Sequence, residues 1–198
     1  MKKKIILVAA ALVLTFVCLA ACTNYDGTLN NINTLLKSDY STITLNVTTE
    51  TAKATLKGSY TFTFGDEQTT VKYSYDVLNS LDESGNNFDE YMQTVSGTAI
   101  VQDDGTMIKD GVEVNLPTSD INLAGLNFKE VFFTNIKAST ETFEADVKNP
   151  KGFTGKMDLT CSDMHVKVSF SSDALSVITI TYTSAYNADV TVTYLFVK

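Results

Sequence analysis

The chain has 198 residues, of which 23 are acidic and 15 are basic, and all the basic residues are lysines, so the net charge at pH 7 is −8. Nucleic acids and anionic lipid headgroups are bound through patches of Lys and Arg, and this acidic composition argues against both partners. A structural zinc site takes four Cys or His ligands. The chain has one histidine and three cysteines, but Cys18 and Cys22 lie in and beside the apolar N-terminal run, so His165 and Cys161 alone cannot supply a zinc shell.

The N-terminus has the parts of a secretory signal peptide. Residues 2–4 are lysines, and the uncharged apolar run over residues 5–19 is shorter than the about 20 residues that a spanning helix needs. The run ends in Leu19-Ala20-Ala21-Cys22, which resembles the lipobox of bacterial lipoproteins. The resemblance implies cleavage after residues 1–21 and lipidation of Cys22.

A lipid on Cys22 would hold the mature protein on the cell membrane, facing the outside of the cell. Two acyl chains anchor stably, since each buried methylene contributes about 0.8 kcal/mol. Residues 22–27 are predicted to be a short tether, so the domain over residues 28–198 stays within a few nanometres of the lipid. Without its leader the chain has 12 lysines against 23 acidic residues, a net charge of −11. Cys161 is then the one cysteine left in the domain, and no internal disulfide is expected.

The first predicted element of the domain is an amphipathic helix over residues 28–37. Thr28 can cap this helix, and four apolar residues recur at helical spacing on one face: Leu29, Ile32, Leu35 and Leu36. From residue 43 the apolar period becomes two, which indicates half-buried antiparallel strands. Ten strands are predicted, over residues 43–47, 56–64, 71–77, 94–102, 107–108, 112–114, 143–147, 164–170, 175–183 and 190–197.

The middle of the chain has a different pattern. Residues 116–133 do not alternate, and Asn127 with Glu130 three residues later is typical of a capped helix start. Phe128, Val131 and Phe132 would form the apolar face of that helix. We therefore predict a loop and a short helical insertion between two groups of strands. The fold class is mainly β (α+β), with a curved antiparallel sheet or incomplete barrel and an N-terminal helix.

This order of elements, together with the lipobox, resembles the LolA and LppX families of lipoprotein carriers. The resemblance covers nearly all of the mature chain and implies a curved sheet that wraps over helices and leaves a cavity for acyl chains. No site residue is carried over from those families, because the chain has no matching motif.

Catalysis and metal binding have weak sequence signals, and no cofactor is expected. His165 is out of phase with its apolar neighbours and is predicted to point to solvent, and the chain has no G-x-S-x-G motif. Cys161 is predicted to be a small packed residue and no nucleophile. The acidic loop from Asp82 to Glu90 could hold a hard cation but lacks the spacing of a calcium loop. We therefore do not expect an enzyme.

Two functions remain open at this stage. In the first, aromatic side chains of neighbouring strands line a pocket for a lipid or another apolar ligand; the candidates are Tyr60, Phe62, Tyr73 and Tyr75. In the second, the same side chains pack shut against the first helix, and the protein is a non-catalytic surface interaction or structural protein. Alternation alone does not separate a filled core from a pocket. Oligomeric state is also left open by the sequence.

Overall fold

The computed structural model describes residues 25–81 and 89–198. Helix α1 (Asp26–Leu35) comes first and helix α2 (Pro150–Thr154) lies between two strands. The eleven strands are β1 (Thr42–Glu50), β2 (Thr55–Phe64), β3 (Thr69–Leu81), β4 (Asp89–Val101), β5 (Met107–Lys109), β6 (Val112–Glu113), β7 (Phe133–Ala138), β8 (Thr142–Val147), β9 (Cys161–Phe170), β10 (Leu175–Ser184) and β11 (Asp189–Val197). The prediction of a mainly β fold is confirmed.

All eleven strands form one open antiparallel sheet in the order β6-β5-β4-β3-β2-β1-β11-β10-β9-β8-β7. The first and last strands meet near the middle, where β1 and β11 pair in unbroken register from Thr42↔Val197 to Glu50↔Asp189. Every other neighbouring pair is consecutive in sequence. The sheet therefore consists of two meanders that the β1–β11 pair joins.

The two faces of the sheet differ in chemistry because successive side chains of a strand point to opposite sides. On β11 the side chains of Val192, Tyr194 and Phe196 are buried, whereas the alternate threonines are half-buried. The same alternation in the neighbouring strands makes one inner, apolar face and one outer, hydroxyl-rich face. On the outer face, Thr44 Oγ1 and Thr61 Oγ1 lie 3.1 Å apart across β1 and β2.

Helix α1 covers part of the inner face. Leu29, Ile32 and Leu35 point inward and are at most 4% exposed, and full burial of one such side chain contributes about 1.5–3 kcal/mol. The helix begins two residues earlier than predicted, after Tyr25, and no side chain caps it. The prediction of Thr28 as the cap is therefore wrong, since Thr28 lies within the first turn.

The predicted helix in the middle of the chain is also wrong. Two short 3-10 turns, Leu123–Gly125 and Glu130–Phe132, stand there instead, and Asn127 caps neither of them. Phe128 is buried but Val131 is 64% exposed, so the two do not share a buried face. The reason lies in α1: the Asn33 side chain bonds to the backbone N–H and C=O of Phe128, at 3.0 and 2.8 Å, and holds this segment extended.

Two elements that follow the insertion, β7 and α2, are not indicated by the pattern of apolar residues. Strand β7 lacks alternation because its pairing with β8 shifts between Thr134 and Lys137, where Asn135 adopts a φ of 52°. Helix α2 begins after Asn149, whose side chain accepts a bond from Gly152 N–H. Its Asn-Pro start and the left-handed Gly155 that follows it are ordinary features of helix ends.

Aromatic rings fill the space between the insertion, α2 and this half of the sheet. Phe128 lies 5.2–5.8 Å, centroid to centroid, from Phe133, Phe143 and Phe153, with mostly edge-to-face geometry. Such pairs add about 0.5–1.5 kcal/mol each beyond their buried area. The backbone also approaches closely here, because a Cβ on Gly125 would stand 2.4 Å from the carbonyl oxygen of Thr154.

Three tyrosine hydroxyls form hydrogen bonds that link the sheet to the segments packed on its inner face. Tyr194 on β11 donates to the carbonyl oxygen of Ile121 at 2.5 Å, and Tyr60 on β2 donates to that of Pro117 at 2.6 Å. Tyr40 donates to the carbonyl of Leu35 and accepts from Leu175 N–H. Each ring contributes apolar area while its hydroxyl pairs a backbone group. In the part of the chain that the structure describes, no helix has the length and apolarity to span a membrane.

The Asn33 contact should contribute measurably to stability. Replacing Asn33→Ala leaves both backbone groups of the partly buried Phe128 unpaired, so we expect a loss of about 2 kcal/mol in the free energy of unfolding. Asn30→Ala, on the exposed side of the same helix, has the same effect on helix propensity and is the matched control. Urea denaturation measures both variants, and equal losses would contradict the assigned role of Asn33.

The tyrosines should make the fold sensitive to alkaline pH. Burial above all raises the pKa of Tyr60 and of Tyr182 to about 12, and it raises that of Tyr194 as well. Because tyrosine in the unfolded chain ionises near pH 10, their neutral forms stabilise the fold fully below about pH 10, and this stabilisation is lost as pH rises toward 12. The denaturant concentration at the midpoint of unfolding should fall between about pH 10 and pH 12. In the folded protein the absorbance of phenolate should appear at a higher pH than in the unfolded chain. Tyr194→Phe should reduce the slope of stability against pH over this range. An unchanged slope would contradict the assignment of the pH dependence to buried tyrosines.

Candidate functional site

An apolar cleft opens on the inner face where β1 and β2 pass beneath residues 118–123. Its volume is about 280 Å³. Apolar side chains from three parts of the chain line most of it: Ile43, Leu45, Phe62, Phe64, Met107 and Leu123. Tyr194 holds Ile121 against the sheet by a hydrogen bond, and the residues on either side of Ile121 form one wall of the cleft.

The cleft has no charged lining residue, and three of its polar side chains already have partners. Tyr194 donates its hydroxyl to Ile121, Ser119 Oγ accepts from Ile121 N–H, and the Asn122 side chain accepts from Ala124 N–H. Burying an ion in such surroundings would cost several kcal/mol without a compensating charge. The arrangement therefore favours an uncharged, apolar occupant.

A second depression adjoins the apolar cleft and shares Ile43 and Phe64 with it. This depression has a volume of about 380 Å³ and is also lined by Leu36 and Tyr40 from the link between α1 and β1. Phe64 is 45% exposed at the boundary between the two. Its remaining lining is polar and includes Ser38, Asp39 and Asp66. The two hollows together therefore run from an apolar interior to an acidic opening at the solvent.

A smaller cavity of about 150 Å³, the tyrosine cavity, lies farther along the same strands. Tyr60 and Tyr75 line it together with Leu56 and Pro117. The rings of Tyr60 and Tyr75 stack, with their centroids 6.3 Å apart. Tyr60 pairs with Leu45 across β1 and β2, so its ring and its bond to Pro117 stand between this cavity and the apolar cleft.

The four residues predicted to line one ligand pocket lie in different places in the structure. Phe62 lines the apolar cleft, whereas Tyr60 and Tyr75 line the tyrosine cavity. Tyr73 lines neither: it is 5% exposed and packs over Gly97, where a Cβ would stand 2.6 Å from its hydroxyl oxygen. Lys109 Nζ lies 5.8 Å from the centroid of the same ring.

Sequence analysis missed several lining residues for identifiable reasons. Ile43 and Phe64 were interpreted as ordinary strand residues, although their positions at strand ends leave them partly uncovered. Leu123 lies in the aperiodic insertion, and Met107 follows a turn. Alternation indicates which face a side chain takes but does not show where the covering segment stops.

The inner face is closed beneath α1. Ile32 is fully buried and Leu29 is 1% exposed, so the helix packs directly onto the sheet. The apolar cleft is lined by residues 118–123 and by strand residues, and not by this helix. A ligand would therefore enter beside the helix.

His165 lies on the outer face, in a surface cluster with two carboxylates of β8. Its Nδ1 is 2.8 Å from Asp146 Oδ1, and its Nε2 is 3.7 Å from Glu144 Oε1. Lys137 and Lys167 approach the same Glu144 at 3.4 and 4.0 Å. The imidazole is 37% exposed and faces away from both inner-face cavities. These contacts are those of a surface ion-pair network.

The pKa shifts of titratable groups near His165 are explained by hydrogen bonds and burial. The pKa of the Asp146 carboxyl is lowered chiefly by a bond from Asn135 and then by His165. Burial raises the pKa of the Cys161 thiol, which disfavours the reactive thiolate. Within residues 25–81 and 89–198, no three His, Cys, Asp or Glu side chains are grouped to hold a metal ion.

Two sequence predictions lie outside the residues that the structure describes. These are the lipidation of Cys22, with its signal peptide, and the interior of the acidic loop from Asp82 to Glu90. The segment around Asp103 and Asp104, by contrast, is described and forms a turn, in which Asp104 accepts a bond from Thr106 N–H.

Comparison with known proteins adds no family to these observations. No protein-family model matches the chain, and no curated protein sequence is significantly similar to it.

Proposed function

We propose that this chain is an extracytoplasmic lipoprotein, anchored to the cell membrane through Cys22, that binds a lipid or another apolar ligand in the apolar cleft. Acyl chains are the class of ligand that suits the cleft best. The protein acts in this proposal as a binding module and has no catalytic role.

The observation that carries the proposal is an accessible, uncharged cleft in a strongly acidic protein. Ligand sites in proteins commonly have volumes of about 300–1,000 Å³ and mostly apolar walls. The apolar cleft has about 280 Å³ and continues into the depression beside Tyr40. This surface can accept an elongated apolar chain whose polar end remains in solvent.

The balance of energies supports the same class of ligand. Each methylene that leaves water for the cleft contributes about 0.8 kcal/mol, and the lining residues supply no cation to hold a carboxylate or phosphate. Affinity would then depend chiefly on chain length, and the carboxylates of Asp39 and Asp66 in the adjoining depression would disfavour an anionic headgroup. The proposed anchor would keep the cleft close to the membrane, where such chains are abundant.

We also propose that the open sheet is curved into an incomplete barrel. Its inner face carries the covering segments and both cavities, which is what a curved sheet requires of its concave side. The Gly58 and Gly97 positions support bending, because glycine in a strand lets a large neighbouring ring lie against the backbone.

A second candidate is a surface interaction protein with a closed core. Its support is the tight packing elsewhere on the inner face, where Ile32 and Tyr60 are at most 1% exposed and Tyr73 is 5% exposed. In that case the apolar cleft would be a packing defect with no ligand. Ligand binding separates the two candidates directly.

The anchor is tested by metabolic labelling with a fatty acid. Cys22→Ala should abolish the label and release or mislocalise the protein, because the acyl chains supply the membrane affinity. Cys18→Ala, four residues earlier in the signal peptide, is the matched control and should keep the label. Label that persists in Cys22→Ala and vanishes in Cys18→Ala would overturn the assignment.

The ligand is tested with residues 23–198, secreted without the lipid anchor. Organic extraction followed by mass spectrometry should find co-purifying lipid, and a fluorescent fatty acid should bind saturably. Phe64→Glu places a carboxylate at the cleft boundary, so we expect affinity to fall at least tenfold. Val112→Glu changes a residue that is 66% exposed on β6, and its affinity should stay within twofold of that of the parent.

Variants at Phe62 and Tyr75 locate the ligand. If the ligand binds in the apolar cleft, Phe62→Ala should weaken binding severalfold. Tyr75→Ala should then have little effect. The reverse result would move the site to the tyrosine cavity. An empty extract without saturable binding would leave the surface interaction protein as the better description.

A further inference from the structure

The two ends of the sheet differ in how their backbone is protected. At the β7 edge, the shift between Thr134 and Lys137 and the left-handed Asn135 break the regular strand. Tyr25 Oη also lies 3.4 Å from the carbonyl oxygen of Ile136 and occupies this edge. A bulge and a covering side chain are the devices by which proteins block strand addition.

The opposite edge is open along most of β4. Strands β5 and β6 end the sheet, but β5 pairs only with Ile100 and Val101. Among the described residues, no strand pairs with the outer side of β4 from Thr94 to Thr98. The edge therefore presents backbone donors and acceptors along a stretch long enough to accept another strand.

The hydrogen bonds of the neighbouring hairpin show which residues present these groups. Gln102 N–H donates outward to Thr106 O, and in an extended strand the N–H and C=O groups of alternate residues point to the same side. The backbone groups of Thr94, Ser96 and Thr98 must then point away from β3. The groups of the residues between them are used in pairing with β3.

Strand β4 itself carries none of the usual protection over this stretch, and Lys109 of β5 lies on the inner face, over the Tyr73 ring and Gly97. The register between β3 and β4 is unbroken from Thr69↔Val101 to Leu81↔Asp89, so no bulge twists the strand. Residues 92–101 contain neither Lys nor Pro. These are the features with which edge strands ordinarily avoid pairing, and the β7 edge of this protein has two of them, the irregular register and the exposed Lys137.

We propose that β4 pairs with β4 of a second copy of this chain, antiparallel, about a twofold axis at Thr94. The occupant follows from the difference between the edges: because β7 is blocked, the open edge of one molecule can meet only the open edge of another. Such pairing is isologous and closes as a dimer, whereas two open edges would give a fibre.

The position of β5 determines the register. A twofold axis at Ser96 would bring residue 91 of the second copy opposite Val101, where Met107 already pairs. An axis at Val95 would bring residue 90 opposite Ile100, where Ile108 pairs. With the axis at Thr94, no residue of β4 as it is bounded, Asp89–Val101, lies opposite Ile100 or Val101 of the other copy. This is the longest pairing with that property, and it joins residues 89–99 of the two copies.

Site-directed disulfide formation in the native membrane tests this geometry with the full-length chain. In a hydrogen-bonded antiparallel pair the two Thr94 Cα atoms would lie about 5.5 Å apart, within the range of a disulfide. Thr94→Cys, in a Cys161→Ser background, should therefore give a species of twice the monomer mass on a non-reducing gel after mild oxidation. The background chain without Thr94→Cys sets the baseline.

Thr98→Cys is the matched control on the same edge. Both threonines are exposed on the outer face of β4, but two copies of Thr98 would be separated by eight residues, about 27 Å. Thr98→Cys should stay at the baseline, and equal cross-linking at both positions would indicate random collision and overturn the proposal. A Thr94→Cys product at the mass of another protein would overturn it as well.

Proline on the outer side of the strand gives an independent test. Ser96→Pro removes an outward N–H without taking a hydrogen bond from β3, so it should prevent the Thr94→Cys dimer while the fold persists. Far-UV circular dichroism of the purified chain in detergent checks the fold. A folded Ser96→Pro variant that still forms the dimer would contradict strand pairing.

Discussion

The inner face of the eleven-stranded sheet must be kept from water, and much of this fold is arranged around that requirement. Helix α1 and the insertion over residues 114–132 cover the face, yet neither has a long apolar surface of its own. They are held by a few specific hydrogen bonds, from Asn33 to the backbone of Phe128 and from Tyr194 to Ile121. Wherever that cover ends, apolar strand residues are left partly accessible, and the apolar cleft lies at such a place.

This arrangement also explains why the cleft is chemically plain. The polar groups that could have faced a ligand already have partners: Ser119 and Asn122 bond to backbone N–H groups of the insertion itself, and Tyr194 bonds to Ile121 across to the sheet. What remains is shape and apolar area, which can select for size and hydrophobicity but not for a headgroup. Selectivity among lipids, if the protein has any, would have to come from the rim of the cleft.

Most strands could be predicted from the sequence because apolar residues alternate with polar ones wherever one face of a strand is buried. Val166, Val168 and Phe170 on β9 are an example. Prediction from the sequence failed where a contact distant in sequence sets the conformation. Phe128 is extended because of Asn33, which is 95 residues away, and local capping signals could not show this. For the candidate site, Phe62 was anticipated, but the division between Phe62 and the tyrosines depends on Tyr60 reaching Pro117, another long-range bond.

The pairing of β1 with β11 has a consequence for how the protein is made. Contacts between the two ends of a chain raise its contact order and slow its folding, because a long loop must close before they form. The nine-residue pairing between Thr42–Glu50 and Asp189–Val197 cannot begin until the last strand has been synthesised. If the chain crosses a membrane with its N-terminus leading, the first meander emerges with one side of β1 unpaired and must avoid aggregation until the C-terminal strand arrives. A chain that lost only its final nine residues would lose the junction between its two halves.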